Sequence, residues 1–235
     1  MFKRCGRTAR TCGSAIAIAL VVLGAVVSTK PSPASAELST VEEVVDYMVP
    51  FLDQYWYAVF TNAGQPYYSP NAISYYNTWD QPGPTMSACG ELATNNAFYC
   101  WTDWSIYLDY TFLDAQLWTY GDFAVAAVVA HEWGHHVEQV IGMSSAAFYS
   151  VQLELFADCL AGAASAALDS AGALEAGDLD EAYALALTIG DPIGTDAASA
   201  GAHGTPDQRI ESFMGGYLYG DPAVCGTAVD LLLAA

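Results

Sequence analysis

The sequence predicts an α+β fold in which a small β-sheet precedes a mainly helical part of the chain. Two observations support this prediction. Alternating side chains over residues 105–110 are typical of a short strand, whereas the chain from residue 122 onward is rich in alanine and has helical spacing. Strands followed by helices are typical of the α+β class. Residues 37–235 contain no internal repeat and no long linker, and we predict a single domain there.

The first 36 residues have the organisation of a secretory signal peptide. A basic segment over residues 1–13 precedes an apolar run over residues 14–27, and Ala34-Ser35-Ala36 fits the small-residue cleavage pattern. The apolar run is shorter than the roughly 20 residues that cross a bilayer, which favours cleavage over a permanent membrane anchor. We expect a secreted protein that begins at Glu37, without stable membrane insertion.

The charge after residue 36 is strongly negative. This part of the chain has one Lys or Arg, Arg209, and all 26 of the Asp and Glu residues, a net charge of −25. Such a surface repels nucleic-acid phosphates and anionic lipid headgroups. The composition therefore excludes nucleic-acid binding.

Local patterns predict the elements in order. Ser39-Thr40-Val41-Glu42 resembles a capping box, and Pro50 is expected to end or kink the helix that follows, with a second helical stretch to about Phe60. Thr205, with Pro206 after it, predicts another helix start. Strands are predicted over residues 72–76, 98–100 and 105–110. Helices are predicted over residues 122–141, 144–169, 178–187, 206–217 and 223–234.

His131-Glu132-Trp133-Gly134-His135 is an H-E-x-x-H motif within an apolar helical stretch. Residues four apart share a helix face, so both imidazoles can reach one metal ion. Glu132 is displaced by about 100° around the axis and would flank the ion, where it can act as a base on water. The motif predicts a Zn²⁺ site with hydrolytic chemistry.

A catalytic zinc site needs a third protein ligand. The longer H-E-x-x-H-x-x-G-x-x-H pattern fails, because Glu138 and Ile141 occupy the positions of its Gly and its last His. Glu154 and Asp158 lie four apart in an apolar stretch, where unpaired carboxylates are costly. We predict Glu154 as the third ligand and Asp158 as the acceptor that orients His131. The alternative is two acids on a solvated face.

His203 and Arg209 lie at the start of the helix predicted over residues 206–217. A single cation among 26 carboxylates predicts a specific carboxylate partner, and we expect Arg209 to anchor this helix near Glu154 and Asp158. That anchoring would bring His203 towards the metal as a catalytic hydrogen-bond donor to an oxyanion. The alternative is a surface histidine and a surface ion pair. His136, beside the second ligand, is predicted to pack rather than to bind metal.

Four cysteines follow residue 36. An even number in an exported protein suggests two disulfides with three possible pairings. A bond between Cys89 and Cys100 is the local choice, and Cys159 with Cys225 would then tie the end of the chain to the central helix. A zinc site made of all four thiolates is disfavoured, because there is no C-x-x-C pair.

Several spaced blocks together resemble the putative neutral zinc metallopeptidases of bacteria. The blocks are Phe98-Tyr99-Cys100, Ile106 to Asp109, Gly121-Asp122-Phe123, the H-E-x-x-H motif with His136, Glu154-x-x-Ala157-Asp158-Cys159-x-Ala161-Gly162 and His203-Gly204-Thr205-x-x-Gln208-Arg209. The resemblance extends from about Ala88 to the C-terminus.

This resemblance implies a zincin-like fold of the gluzincin kind. In such a protein His131, His135 and Glu154 would bind zinc, and Glu132 would be catalytic. The resemblance also implies disulfides between Cys89 and Cys100 and between Cys159 and Cys225. Trp101 is a departure from the family, in which Pro is commoner at this position, and we expect only a local change in the turn.

The function expected from these residues is a secreted zinc metallopeptidase that acts on peptides or proteins. The strand over residues 105–110 is the candidate edge for pairing with an extended substrate. Peptide cross-links of the cell wall are another possible substrate. The alternative class is a non-catalytic, metal-stabilised module that binds surface or wall polymers through the aromatic cluster Tyr67, Tyr68, Tyr75, Tyr76 and Trp79.

One acidic segment does not fit a known site pattern. Calcium binding by its carboxylates is one interpretation, but their spacing matches no defined calcium-binding loop, and a solvated acidic region is the favoured interpretation. These residues are Asp178, Asp180, Glu181, Asp191 and Asp196.

Overall fold

The structure is a computed structural model that describes residues 38–78, 85–143, 148–199 and 201–226. These residues belong to one compact unit. The predicted signal peptide and its cleavage site lie outside the described residues, as do Trp79 and most of the helix predicted over residues 223–234.

The described residues form six α-helices and five short strands, which confirms the α+β prediction. The strands are β1 (Ala72–Tyr76), β2 (Met86–Ser87), β3 (Gly90–Glu91), β4 (Ala97–Cys100) and β5 (Ser105–Asp109). The helices are α1 (Val41–Asn62), α2 (Tyr110–Tyr120), α3 (Asp122–Val140), α4 (Ser150–Ser170), α5 (Asp178–Ile189) and α6 (Pro206–Tyr219). A 3₁₀ turn, Pro222–Val224, follows α6.

Helix α1 corrects two expectations at the start of the domain. Its N-cap is Thr40, whose hydroxyl accepts from the Glu43 amide, so the cap lies one residue later than the predicted capping box. Pro50 neither ends nor divides the helix. Pro50 and Asp46 are both exposed, and water can therefore satisfy the carbonyl that loses its helical hydrogen bond.

The three-stranded sheet has the order β1-β5-β4. Strand β5 pairs in parallel with β1 and antiparallel with β4, so that Ile106 lies between Ile73 and Tyr99. The prediction that the strand over residues 105–110 is a sheet edge was therefore wrong. Strand β4 forms an edge instead.

Helix α2 was not predicted, and it begins where β5 was expected to continue. The carboxylate of Asp109 accepts hydrogen bonds from the amides of Thr111 and Phe112 at 3.0 and 3.3 Å. An aspartate in this position is a favourable N-cap. The cap converts the end of the strand into a helix at Tyr110.

Helix α3 is the central element of the core and packs against α1, α2, α4, α5 and β4. Residues 123–130 are all buried, which explains the continuous apolar run before the H-E-x-x-H motif. Trp133 is also buried, and its indole N–H donates to the Tyr67 hydroxyl at 3.0 Å.

Helices α4 and α6 lie in close contact. A methyl group added at Gly162 would collide with the Phe213 carbonyl, and one added at Gly216 would collide with the Cys159 carbonyl. Both glycines are thus required for the two backbones to approach this closely. This approach fixes α6 against the helix that contains Glu154 and Asp158.

Both disulfides implied by the family resemblance are present. Cys89 is bonded to Cys100 with 5.7 Å between their Cα atoms, and Cys159 to Cys225 with 5.5 Å. In the chain-entropy model bridges of these spans stabilise the fold by about 3 and about 4 kcal/mol.

Among the described residues, one helix has the length and apolar composition to cross a membrane. This helix is α4, and 72% of its apolar window is buried inside the protein. Core helices of globular domains meet the same criteria, so the composition of α4 is weak evidence for a membrane span.

Candidate metal centre

Helices α3 and α4 bring three candidate metal ligands together. His131 and His135 lie one turn apart on α3, and their Nε2 atoms are 3.2 and 3.5 Å from the two carboxylate oxygens of Glu154 on α4. One donor atom from each residue lies within 4.8 Å of the other two. The three residues can therefore share one cation.

Each imidazole is oriented by a carboxylate on the opposite side of its ring. Nδ1 of His131 donates to Asp158 at 2.8 Å, and Nδ1 of His135 donates to Glu138 at 2.9 Å. A carboxylate at Nδ1 fixes the proton there and leaves Nε2 free to bind a metal. The contact between Asp158 and His131 is the one predicted from the sequence.

Arg209 reaches this site from α6. Its Nε and Nη2 atoms donate to the two oxygens of Asp158, each at 2.8 Å. Both residues are 6% exposed. The pairing is bidentate and buried, and it places α6 beside the ligands as the sequence predicted.

Glu132 is the fourth carboxylate close to the histidines, and it forms no hydrogen bond with either imidazole. The residue is 6% exposed, and its Oε2 atom has no hydrogen-bond partner among the described residues. Burial raises the pKa of Glu132, which the positive charge on the neighbouring imidazoles partly offsets. A buried carboxylate with one unpaired oxygen and a raised pKa has the properties of a general base.

The electrostatics of the ligands are dominated by their pairing. Burial alone would lower the pKa of His131, but the Asp158 carboxylate raises it to about 9. Burial alone would raise the pKa of Glu154, but the two imidazoles hold it well below its usual range. A cation at this site therefore replaces protons on nitrogen, as metal binding to histidine requires.

His203 lies at the entrance of the same site and is half-exposed. The carboxylate of Asp191 accepts hydrogen bonds from the backbone amides of His203 and Gly204 at 2.6 and 3.1 Å, and its other oxygen is 3.5 Å from Nδ1 of His203. Asp191 therefore holds the loop through two backbone amides, and its carboxylate lies close to the imidazole.

These side chains line one cavity of about 590 Å³. The edge strand β4 forms one side, and α5 and α6 contribute apolar walls. The histidine, acidic and basic residues of the lining are His131, Glu132, His135, Glu154, Asp158, His203 and Arg209. The apolar lining includes Leu179, Ala182, Leu185, Ile189, Ile210 and Phe213.

Gly134 permits the close approach of the two helices that hold the ligands. A methyl group added there would lie 2.8 Å from the Ala157 Cα atom and 2.9 Å from its carbonyl oxygen. No residue larger than glycine fits without a shift of α3 against α4. The small residue inside the motif therefore sets the distance between its histidines and Glu154.

Comparison with known protein families matches residues 22–228 to the family described as "Putative neutral zinc metallopeptidase". The chain belongs to this family. The uncharacterized protein YpfJ of Escherichia coli (strain K12) is 34% identical over 195 residues, which cover 73% of this chain and 66% of YpfJ. Uncharacterized proteins of Mycobacterium bovis and Mycobacterium tuberculosis are 33% identical over 180 residues, 63% of this chain and 61% of theirs.

The chain thus spans about two thirds of the length of the curated relatives that it matches. No solved structure matches it. The family resemblance stated from the sequence blocks is confirmed by the family match.

The donor set fits the zinc that the family description implies. Two imidazole nitrogens and one carboxylate oxygen are common ligands of catalytic zinc, and three protein ligands leave one position for water. Both Nδ1 atoms are occupied by carboxylates, so both Nε2 atoms are available on the side of Glu154. The residues present therefore suit a Zn²⁺ site of the catalytic kind.

Two further expectations concern residues near the centre. His136 is fully buried, its Nε2 donates to the Tyr68 carbonyl at 2.6 Å, and its Nδ1 lies 3.1 Å from the Tyr99 hydroxyl. It packs and does not face Glu154. In the aromatic cluster, Tyr76 is buried, and Tyr67 packs against the core.

The cluster proposed for polymer binding is therefore not a continuous exposed surface. Tyr75 is half-buried, and Tyr68 is exposed. Since most of the described aromatic rings pack inwards, no structural observation favours the non-catalytic module.

Sequence reasoning missed two residues of the centre. Glu138 was noted only for not matching a longer motif, although its spacing of three from His135 places both on one helix face. Asp191 was assigned to a solvated acidic segment. Its role depends on a contact between the segment after α5 and the loop before α6, for which the local sequence gives no signal.

Proposed function

We propose that this protein is an exported zinc-dependent metallopeptidase. The observation that supports this best is the buried Glu132 carboxylate, with its unpaired Oε2 atom, beside two imidazoles and Glu154, all lining one cavity. In this proposal His131, His135 and Glu154 hold the zinc, and Glu132 is the general base. The proposed export is based on the predicted signal peptide.

Bound zinc would supply a Lewis acid that polarises a carbonyl and acidifies water. The protein's own side chains would transfer the proton and orient the zinc ligands. Oε2 of Glu132 would accept a proton from water in the cavity and deliver it to the leaving nitrogen. Asp158 and Glu138 would hold the two imidazoles in one tautomer, and Arg209 would keep Asp158 ionised and in place.

The cavity favours an extended peptide as substrate. Strand β4 lines the cavity and is a sheet edge, so its main chain can pair with a substrate segment. The walls from α5 and α6 are apolar and suit an aliphatic or aromatic side chain beside the scissile bond. The net charge of −25 after residue 36 disfavours acidic substrates.

The position of His203 suits a donor to the oxyanion of a tetrahedral intermediate. We expect His203→Ala to lower kcat by about 100-fold and Asp191→Asn by about 10-fold, with KM within about threefold in each case. The reason is that Asp191 acts through the orientation of His203 and not through substrate binding. Steady-state kinetics on a peptide substrate would measure kcat and KM separately for each variant.

Asp196→Asn is a suitable control for that pair, because Asp196 is exposed in the same segment. Equal losses of kcat in Asp191→Asn and Asp196→Asn would show that the negative charge of the segment causes the loss. The contact between Asp191 and His203 would then not be responsible.

Removal and restoration of the metal tests the proposed function. Digestion of dye-labelled casein by the purified mature protein should stop after treatment with a chelator and recover on addition of one equivalent of Zn²⁺. Activity that persists at full rate without metal, or a zinc-loaded protein that cleaves no peptide, would contradict the proposal.

A further inference from the structure

A second cluster of carboxylates lies at the N-terminal ends of two helices, away from the residues of the metal centre. Asp122 is the first residue of α3, whereas Asp178 and Glu181 lie in the first turn of α5. One carboxylate oxygen of each residue lies within 4.8 Å of the other two. We call these three residues the acidic cluster.

Hydrogen bonds leave one buried oxygen of the acidic cluster without a partner. The amides of Leu38 and Phe123 donate to Asp122 and Glu181 at 2.7 and 2.9 Å, and the Glu175 amide donates to Oδ2 of Asp178 at 2.9 Å. Oδ1 of Asp178 accepts no hydrogen bond from any part of the chain that the structure describes. Because Asp178 is only 5% exposed, this unpaired oxygen is also hidden from solvent.

Within the described residues, no Lys or Arg is available to neutralise the acidic cluster. Arg209 is the only Lys or Arg after residue 36, and it is held by Asp158. Three neighbouring carboxylates without a counter-charge disfavour one another's ionised forms. Burial and the charges of Asp122 and Asp178 accordingly raise the pKa of Glu181 to about 7.

We propose that the acidic cluster is a Ca²⁺ site that joins the N-terminal ends of α3 and α5. An all-carboxylate donor set selects hard cations over zinc. Two oxygens bound to one Ca²⁺ at 2.3–2.6 Å lie at most about 5 Å apart, a span that the cluster fits. Mg²⁺ demands shorter distances and a stricter octahedron, so Ca²⁺ fits better.

The site would connect two parts of the cavity. Helix α3 contains the H-E-x-x-H motif, and α5 supplies Leu179, Ala182 and Leu185 to the apolar wall. A cation between their first turns would hold this wall against the helix that binds zinc. Its effect would appear first as stability, and it does not depend on whether the protein cleaves peptides.

The test is thermal unfolding of zinc-loaded protein in calcium-free buffer, with and without about 5 mM CaCl₂, a concentration suited to extracellular sites of Kd 10⁻⁴–10⁻³ M. We expect Ca²⁺ to raise the Tm of the wild type by about 3–8 °C. The same concentration of MgCl₂ should have a smaller effect. Titration calorimetry should give one Ca²⁺ per chain.

Asp178→Asn is the informative variant, and Asp180→Asn is its matched control on the exposed side of the same helix turn. We expect the control to keep the full Ca²⁺ shift and Asp178→Asn to lose affinity at least about tenfold. Without Ca²⁺, Asp178→Asn should be no less stable than wild type, because it relieves repulsion within the cluster.

Two results would overturn the proposal. The first is a wild-type Tm that Ca²⁺ does not change, which would mean that a shared proton alone neutralises the acidic cluster. The second is an equal Ca²⁺ shift in wild type and Asp178→Asn, which would place any bound ion elsewhere.

Discussion

Replacing Glu132 with Gln is expected to lower kcat/KM for peptide hydrolysis by about 1,000-fold, or about 4 kcal/mol of transition-state stabilisation. The amide is nearly isosteric with the carboxylate but cannot accept a proton from water at neutral pH. Glu132 is not one of the three candidate metal ligands, which are His131, His135 and Glu154. Zinc content should therefore remain at the wild-type level.

The measurement combines steady-state kinetics with metal analysis of the same sample. Glu211→Gln is a matched control, because Glu211 is exposed on α6 and lies outside the residues that line the cavity. It should keep both activity and zinc. If Glu132→Gln retained full turnover, Glu132 would not be the base, and the proposed mechanism would be wrong.

Replacing Arg209 with Met is expected to have the largest effect on stability. It would leave the Asp158 carboxylate buried without its bidentate partner, and loss of one partner from a buried ion pair costs about 3–5 kcal/mol. The same change would loosen the acceptor that orients His131. Loss of a hydrogen bond that orients a metal ligand lowers metal affinity by about 10–100-fold.

Urea unfolding of zinc-loaded and zinc-free protein would measure both effects. Arg209→Lys keeps the charge but loses the two parallel hydrogen bonds. Its free energy of unfolding should therefore lie between those of the wild type and Arg209→Met. A loss below about 1 kcal/mol in Arg209→Met would show that Asp158 is held by other groups.

The parts of the site that could be predicted from the sequence are those with a spacing rule. The four-residue separations of His131 from His135 and of Glu154 from Asp158 each define a helix face. One cation among 26 carboxylates also predicted a specific partner for Arg209. Contacts that join distant segments have no such rule. For this reason the contact of Asp191 with the His203 loop and the proximity of Asp122 to Asp178 and Glu181 were not predicted.

Errors in the fold have a similar physical origin. The alternating pattern of β5 is the same for an edge strand and for a central strand, because it records burial on each face and not the number of paired neighbours. Pro50 was expected to end or kink helix α1, and it does not end it, because its exposed position lets water replace the missing hydrogen bond. The cap at Asp109 was overlooked because the strand pattern extended through it.

Zinc content of the purified protein, compared with that of Glu154→Ala, tests the metal centre most directly. After dialysis against a weak chelator, the wild type and the control Glu211→Ala should each retain one zinc per chain. Glu154→Ala should bind zinc more than about 100-fold more weakly than the wild type. It loses a metal ligand itself, whereas loss of a residue that only orients a ligand costs less. Full zinc retention by a folded Glu154→Ala protein would contradict the proposed centre.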